Sequence, residues 1–166
     1  MYDRIWPWRK AAGLCLVLFF AVGSLSLDAD DLLRVTASMS PRRLSRGQEG
    51  KVVLKVVLRK GILINSQPQF IIEFEPSKEV VFPKNFFTAS DLEIETWKEN
   101  GREYLDLKKP IEIPFFIDES AQRGNHKLKG RVKYFASSLK EGVCIKTTTG
   151  FSASFYTLNR IYRKRR

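Results

Sequence analysis

One residue of this 166-residue chain carries thiol chemistry without an obvious partner. Cys144 follows Gly142-Val143, and the other cysteine, Cys15, lies in an apolar N-terminal run. If that run is removed, the remaining protein holds one thiol and cannot close an internal disulfide. A lone cysteine of this kind takes part in an intermolecular bond, stays a free thiol, or packs as a small apolar residue. Lys140 and Lys146 would favour its reactive thiolate, and Glu141 would oppose them.

The other residue types that carry chemistry form no recognisable pattern. His126 is the only histidine, and its neighbours Gly124-Asn125 predict a turn. A zinc site needs three or four converging ligands, so neither a metal nor a cofactor is expected. A hydrolytic triad is poorly supported, because the sequence contains no Gly-x-Ser-x-Gly motif. The residues therefore favour a protein that is not an enzyme, with thiol:disulfide interchange as the alternative activity.

Residues 1–27 have the organisation of a targeting segment. Arg4, Arg9 and Lys10 precede an almost unbroken apolar stretch at 11–27, in which Ala21-Val-Gly23 offers small residues for cleavage. The segment is predicted to be a signal peptide or, if it is retained, a membrane-anchor helix. Both alternatives place the rest of the chain outside the cytoplasm, in the periplasm or cell envelope.

The chain is strongly basic, with a formal net charge of +11. Residues 1–27 account for a net +2, which leaves +9 for the remainder. A basic tail is predicted at 159–166, and its five cations are Arg160, Arg163, Lys164, Arg165 and Arg166. Such a tail is either a solvated end or a binding site for an anionic membrane surface. Nucleic acid is not expected as a partner, because no reader motif accompanies the charge.

Residues 28–158 are predicted to form one all-β domain, a β-sandwich. Residues 51–58 form the strongest strand, and since both of its faces are apolar we expect it in the middle of a sheet. Residues 111–117 alternate, with Pro110 and Pro114 indicating an edge or a bulge. Asn100-Gly101 predicts a hairpin. Further strands are expected at 91–97, 127–135 and 150–156, with a turn-rich connection at 41–47. Short strands at regular spacing are typical of a sandwich.

Three stretches together resemble the N-terminal periplasmic domain of the DsbD thiol:disulfide interchange proteins. The first is Leu44-Ser-Arg-Gly-Gln48 with the strand at 52–58, and the second is Gly61-Ile-Leu-Ile-Asn-Ser-Gln-Pro68. The third runs from Gly130-Arg-Val-Lys-Tyr134 through Gly142-Val-Cys144. The resemblance covers residues 34–156 and implies an immunoglobulin-like β-sandwich. It also implies two cysteines that cycle between dithiol and disulfide as electrons pass to thiol proteins.

The sequence departs from the family at the residues that carry this chemistry. Cys144 matches the second cysteine, whereas the first falls at Ser137, three residues after Tyr134. Leu63 stands where the family has histidine, and Lys146 where it has proline. A hydroxyl cannot form a disulfide, so the resemblance implies a protein-binding module that cannot run the two-cysteine cycle alone. Its expected partner is a thiol-redox or envelope protein.

Four aromatic residues in the middle of the chain have two interpretations. Phe82, Phe86, Phe87 and Trp97 are expected to pack in the core or under loops. The functional alternative is an aromatic contact surface over the neighbourhood of Cys144.

Overall fold

The computed structural model describes residues 32–140 and 142–161, and this part of the chain is built from strands. The predicted targeting segment and the tail residues Arg163, Lys164, Arg165 and Arg166 lie outside the described residues. The strands are β1 (Leu33–Ser40), β2 (Arg43–Arg46), β3 (Glu49–Leu58), β4 (Ile62–Ile64), β5 (Ile71–Phe74), β6 (Val80–Val81), β7 (Phe86–Thr88), β8 (Thr96–Glu99), β9 (Arg102–Leu105), β10 (Ile111–Ile117), β11 (Gly124–Ser138) and β12 (Cys144–Ile161).

Two sheets form the body of the domain. The first has the order β1-β3-β10-β6. The second has the order β2-β12-β11-β5-β7, and β4 pairs with β11 beyond the end of β5. A separate hairpin is made by β8 and β9. This arrangement confirms the all-β, immunoglobulin-like sandwich.

The core lies between the inner faces of the two sheets. Alternation on β10 buries Ile111, Ile113, Phe115 and Ile117, while the residues between them are exposed. From the other sheet, β11 contributes Leu128, Val132, Tyr134 and Ala136. These two sets face each other, so the odd-numbered residues at the far end of β11 point away from the core. That outer face of β11 carries Phe135 and Ser137.

Several strand predictions are confirmed. β3 lies between β1 and β10, as a strand with two apolar faces should. Its outer face is not covered throughout, because Val57 is 61% exposed. Pro114 lies on β10 where only β3 is paired, since β6 reaches no further than Phe116. Asn100 and Gly101 form the β8–β9 turn with φ of 51° and 75°, as expected of a two-residue hairpin loop.

Three local predictions are wrong. Residues 91–95 do not form a strand: 91–93 belong to a turn, in which the Asp91 carboxylate accepts hydrogen bonds from the N–H and hydroxyl of Thr88. The connection at 41–47 contains β2, which gains its hydrogen bonds by pairing in parallel with β12. Gly124-Asn125 lies within β11, since the long partner strand β12 extends the pairing that far.

Candidate functional site

The hairpin of β11 and β12 brings Ser137 and Cys144 together. The two residues are direct cross-strand partners. The turn beyond them is closed by hydrogen bonds from Ser138 N to Val143 O at 3.0 Å and from Gly142 N to Ser138 O at 2.9 Å. Gly142 has φ of 65°, which suits glycine at this tight reversal.

Ser137 and Cys144 occupy a cross-strand position whose usual Cα separation suits a disulfide. Ser138 N donates to Val143 O, just before β12, and the alternation along a strand then directs the backbone of Ser137 toward Leu63 on β4. Residues 137 and 144 are therefore a non-hydrogen-bonded pair, for which the Cα separation is about 4.5 Å. Disulfides span Cα separations of roughly 4.4–6.8 Å. The backbone can accommodate a disulfide here, and the Ser137 hydroxyl prevents one.

Asn65 connects the two partners through its side-chain amide. Ser137 Oγ donates to Asn65 Oδ1 at 2.8 Å, and Asn65 Nδ2 donates to Cys144 Sγ at 3.3 Å. Ser137 is buried, so the amide oxygen satisfies a hydroxyl that water does not reach. The amide also fixes the position of the sulfur beside it.

Cys144 itself is exposed and free of any disulfide. This excludes its interpretation as a core residue. Lys146 Nζ lies over the ring of its cross-strand partner Phe135, 6.0 Å from the ring centroid. The Lys146 cation is therefore in contact with Phe135. Lys140 is exposed at the hairpin turn, and Glu141 lies outside the described residues.

The hairpin of β8 and β9 holds the segment that carries Asn65. Ser66 N donates to Glu103 O at 3.0 Å, and Asn65 forms an isolated bridge with Tyr104. Glu103 also accepts hydrogen bonds from the hydroxyls of Thr96 at 2.9 Å and Ser66 at 3.0 Å. These bonds, that of Thr96 first, lower the pKa of Glu103. The carboxylate thereby ties both strands of the hairpin to the site.

Apolar side chains belong to the groove beside Leu63 and to the hairpin turn before Cys144, and we call them together the thiol-side surface. It consists of Val57, Leu63, Trp97, Leu139 and Val143. Val57, Leu63 and Trp97 line a groove of about 380 Å³, together with Val56, Leu58, Leu105, Asp106, Leu107 and Lys108. Leu63 is also the cross-strand partner of Ser137. Leu139 and Val143 flank the hairpin turn and are 53% and 47% exposed.

Of the four aromatic residues, two lie in the core, Trp97 lies in the groove, and Phe86 fits neither interpretation. Phe82 and Phe87 pack against Phe74, which also meets Phe151, so they belong to the core. Phe86 is exposed beside Glu73, away from the thiol. The Trp97 ring lies 5.3 Å from that of Tyr104, tilted by 41°, and Trp97 lines the groove.

His126 lies in β11, and its predicted position in a turn is wrong. Its Nε2 is 2.8 Å from Gln122 O, and its Nδ1 is 3.8 Å from Glu79 Oε1. The ring packs 5.2 Å from that of Phe155. Within residues 32–140 and 142–161, no three histidine, cysteine, aspartate or glutamate side chains are grouped as a metal site requires.

The first cation of the predicted tail belongs to the sheet. Arg160 lies in β12, which extends to Ile161, and its Nε donates to Ser45 Oγ at 3.1 Å. Among residues 32–140 and 142–161, no helix is long and apolar enough to cross a bilayer.

Asn65 lies within the second of the three motifs, but the sequence predicted no role for it. The available signal was the polar Asn65-Ser66 pair directly after the apolar β4. Glu103 had no signal for its contact with this site, because its partner Ser66 lies 37 residues away.

Comparison with known proteins gives only distant structural similarity. The sequence matches no protein-family model and no curated protein. The seventh ScaB type I cohesin from Pseudobacteroides cellulosolvens aligns with a TM-score of 0.41 and 12% identity, over 80% of this chain and 97% of the cohesin. The N-terminal periplasmic domain of ScsB from Proteus mirabilis aligns with a TM-score of 0.38 and 16% identity, over 72% of this chain and 44% of that chain. A cohesin–dockerin complex from Clostridium thermocellum aligns at 0.37 and 11% identity, over 76% of this chain and 99% of the matched chain.

Proposed function

We propose that this chain is an exported protein-binding module that resembles the DsbD N-terminal domain and has lost the two-cysteine exchange. The observation that carries the proposal is the hydroxyl of Ser137 opposite the thiol of Cys144. One thiol can form a bond with another protein, but it cannot open and close a disulfide within the chain. What remains is a fixed β-sandwich with an exposed contact surface around the vacated redox pair.

The resemblance gains support from contacts between its motifs. Asn65 comes from the second motif, and it hydrogen bonds to Ser137 and Cys144 of the third. Tyr134, also of the third motif, is buried and lies 3.0 Å from Thr149 Oγ1 through its hydroxyl. The motifs thus build one local structure around the cysteine position.

The thiol-side surface is suited to a protein partner. Exposed apolar side chains that adjoin one another mark interaction sites more often than solvated surface. Trp97 is 39% exposed, and tryptophan is enriched among the residues that dominate binding energy. The apolar segment at 11–27 and the cations before it support export of the domain, so we infer that the partner is an extracytoplasmic protein.

Site-specific photo-crosslinking in cells tests the binding surface. A photoreactive residue at Leu139 should capture a protein partner, whereas one at Phe116, equally apolar and 48% exposed on β10, should not. With the captured partner purified, Trp97→Ala should weaken binding about tenfold or more, and Phe116→Ala should change it less than twofold. Equal capture at both positions, or equal effects of both substitutions, would refute the surface.

Cys144 as a thiol-exchange participant is the second candidate, and its exposure favours it. The Cys144 thiolate would attack one sulfur of a partner disulfide, form a mixed disulfide, and release the other partner sulfur as a thiolate. A thiol of the partner would then have to resolve the bond. No oxidation is completed within this chain.

Trapping separates the two candidates. Mixed disulfides that form in wild type and in Ser137→Ala, but vanish in Cys144→Ser, would support the exchange. Binding of the captured partner by Cys144→Ser with unchanged affinity, and no trapped species, would support the non-exchanging module.

A further inference from the structure

Three arginines meet around one tyrosine at the end of the sandwich that is remote from Cys144. Arg43 on β2, Arg123 before β11 and Arg160 on β12 line an open concavity of about 530 Å³, together with Tyr156, Leu158 and Asn159. Along β12, Tyr156 is twelve residues from Cys144, or about 40 Å at roughly 3.3 Å per residue. The cluster is therefore separate from the thiol-side surface.

Each arginine is positioned by a neutral contact. Arg43 stacks on the Tyr156 ring, with Cζ 5.3 Å from the ring centroid. Arg123 Nε donates to Tyr156 Oη at 3.1 Å, and Arg160 Nε donates to Ser45 Oγ at 3.1 Å. Ser45 is buried, so it is a fixed anchor.

These neutral contacts do not neutralise the positive charges of the three guanidinium groups. None of the three arginines forms an ion pair with a carboxylate of residues 32–140 or 142–161. A guanidinium has five N–H donors, so the terminal nitrogens of Arg43, Arg123 and Arg160 remain available. Elsewhere in the sheet, Arg131 is paired with Glu73 at 2.7 Å. What sets Arg43, Arg123 and Arg160 apart from the other arginines is that all three line one concavity.

We propose that Arg43, Arg123 and Arg160 form a binding site for the phosphate group of an organic phosphate. Guanidinium groups match phosphate oxygens with paired hydrogen bonds. The Tyr156 hydroxyl accepts from Arg123 and keeps its own proton to donate to the same anion. Tyr156 and Leu158 supply apolar surface for the organic part.

Calorimetric titration of the full-length chain in neutral detergent with glycerol 3-phosphate, at constant ionic strength, tests the site. Arg123→Gln and Arg43→Gln should each weaken binding about tenfold. Arg34→Gln removes one exposed charge from β1 and should change the affinity less than twofold. Equal losses in all three variants, or no saturable binding by wild type, would overturn the proposal.

Tyr156→Phe separates a built site from general positive charge. It leaves the net charge unchanged and removes the acceptor that positions Arg123, so affinity should fall severalfold. Unchanged affinity would show that charge alone attracts the anion, against the proposal.

Flotation with vesicles identifies the source of the phosphate. If Arg123→Gln also loses binding to phosphatidylglycerol vesicles, relative to phosphatidylcholine vesicles, the site takes a lipid headgroup. If vesicle binding is unchanged while glycerol 3-phosphate binding is lost, the site takes a soluble organic phosphate.

Discussion

The Asn65 side chain links β11 to β12 through hydrogen bonds at the position where a disulfide would link them covalently. Its amide joins the hydroxyl of Ser137 to the sulfur of Cys144. Hydrogen bonds of this kind hold side chains in place without covalent chemistry and contribute about 1 kcal/mol each. The site is thereby fixed in one arrangement, with its sulfur at the surface.

Ser137→Cys should create a disulfide with Cys144, because the cross-strand pair already has the required separation. Under oxidising conditions, alkylation of Cys144 should be lost, and the free energy of unfolding should rise by about 2–3 kcal/mol for a loop of this size. Mass spectrometry before and after reduction measures the bond.

Ser138→Cys is the matched control for this substitution. Residue 138 points to the opposite face of β11, since side chains alternate along a strand. If Ser138→Cys formed the internal bond as readily as Ser137→Cys, the assigned pairing would be incorrect.

Asp91 makes the turn at 91–93 sensitive to acid. A hydrogen bond from Lys84, followed by those from Thr88, lowers the pKa of Asp91 from 3.8 to about 2. A carboxyl with a lowered pKa contributes stability above its unfolded value, and this contribution is lost as pH falls through the folded value. Below pH 3.8 the turn should therefore weaken progressively, down to about pH 2.

The NMR titration of the Thr88 amide measures this effect. Its midpoint should lie near pH 2 in wild type. In Asp91→Asn the transition should be absent, because the amide does not titrate. A midpoint at the ordinary aspartate value would contradict the assigned hydrogen bonds.

At the scale of elements, the β11–β12 hairpin depends on close contact at one glycine. A Cβ on Gly130 would lie 2.5 Å from Phe151 Cζ and 2.7 Å from the backbone oxygen of Glu73. The backbone of β5 cannot move away without breaking its pairing with β11. Gly130 thus allows the ring of Phe151 to lie flat against the strand.

Gly130→Ala should lower the free energy of unfolding by about 1–3 kcal/mol, as overpacking does. Gly150→Ala is its control on the partner strand, where a Cβ would meet nothing closer than 4.0 Å. That substitution should be neutral or slightly stabilising. Urea denaturation of both variants measures the difference, and equal destabilisation would contradict it.

Strands with local signals could be predicted, whereas those that depend on distant partners could not. Asn100-Gly101 encodes its own turn, and the alternation of 111–117 encodes its own buried face. β2 has no such pattern and exists through its pairing with β12. Asn65 could not be placed, since Ser137 and Cys144 lie 72 and 79 residues away. The alignment of Ser137 with a missing cysteine came from family resemblance.

Over the whole molecule, Cys144 and the arginine cluster lie toward opposite ends of β12. Arg123→Gln should leave the alkylation rate of Cys144 unchanged within about twofold, because the effects of distant sites usually add within about 0.5 kcal/mol. Thiol labelling of the single variants and of Arg123→Gln with Ser137→Ala measures the coupling. A larger change would mean that the two ends communicate through β12.

The parallel pairing of β2 with β12 sets an order of events during synthesis. Arg43 emerges from the ribosome long before its partner Tyr156. Until the last strand arrives, the early half of the polypeptide keeps an unsatisfied edge. The edge of β2 that faces β12 therefore stays unpaired until β12 has been made.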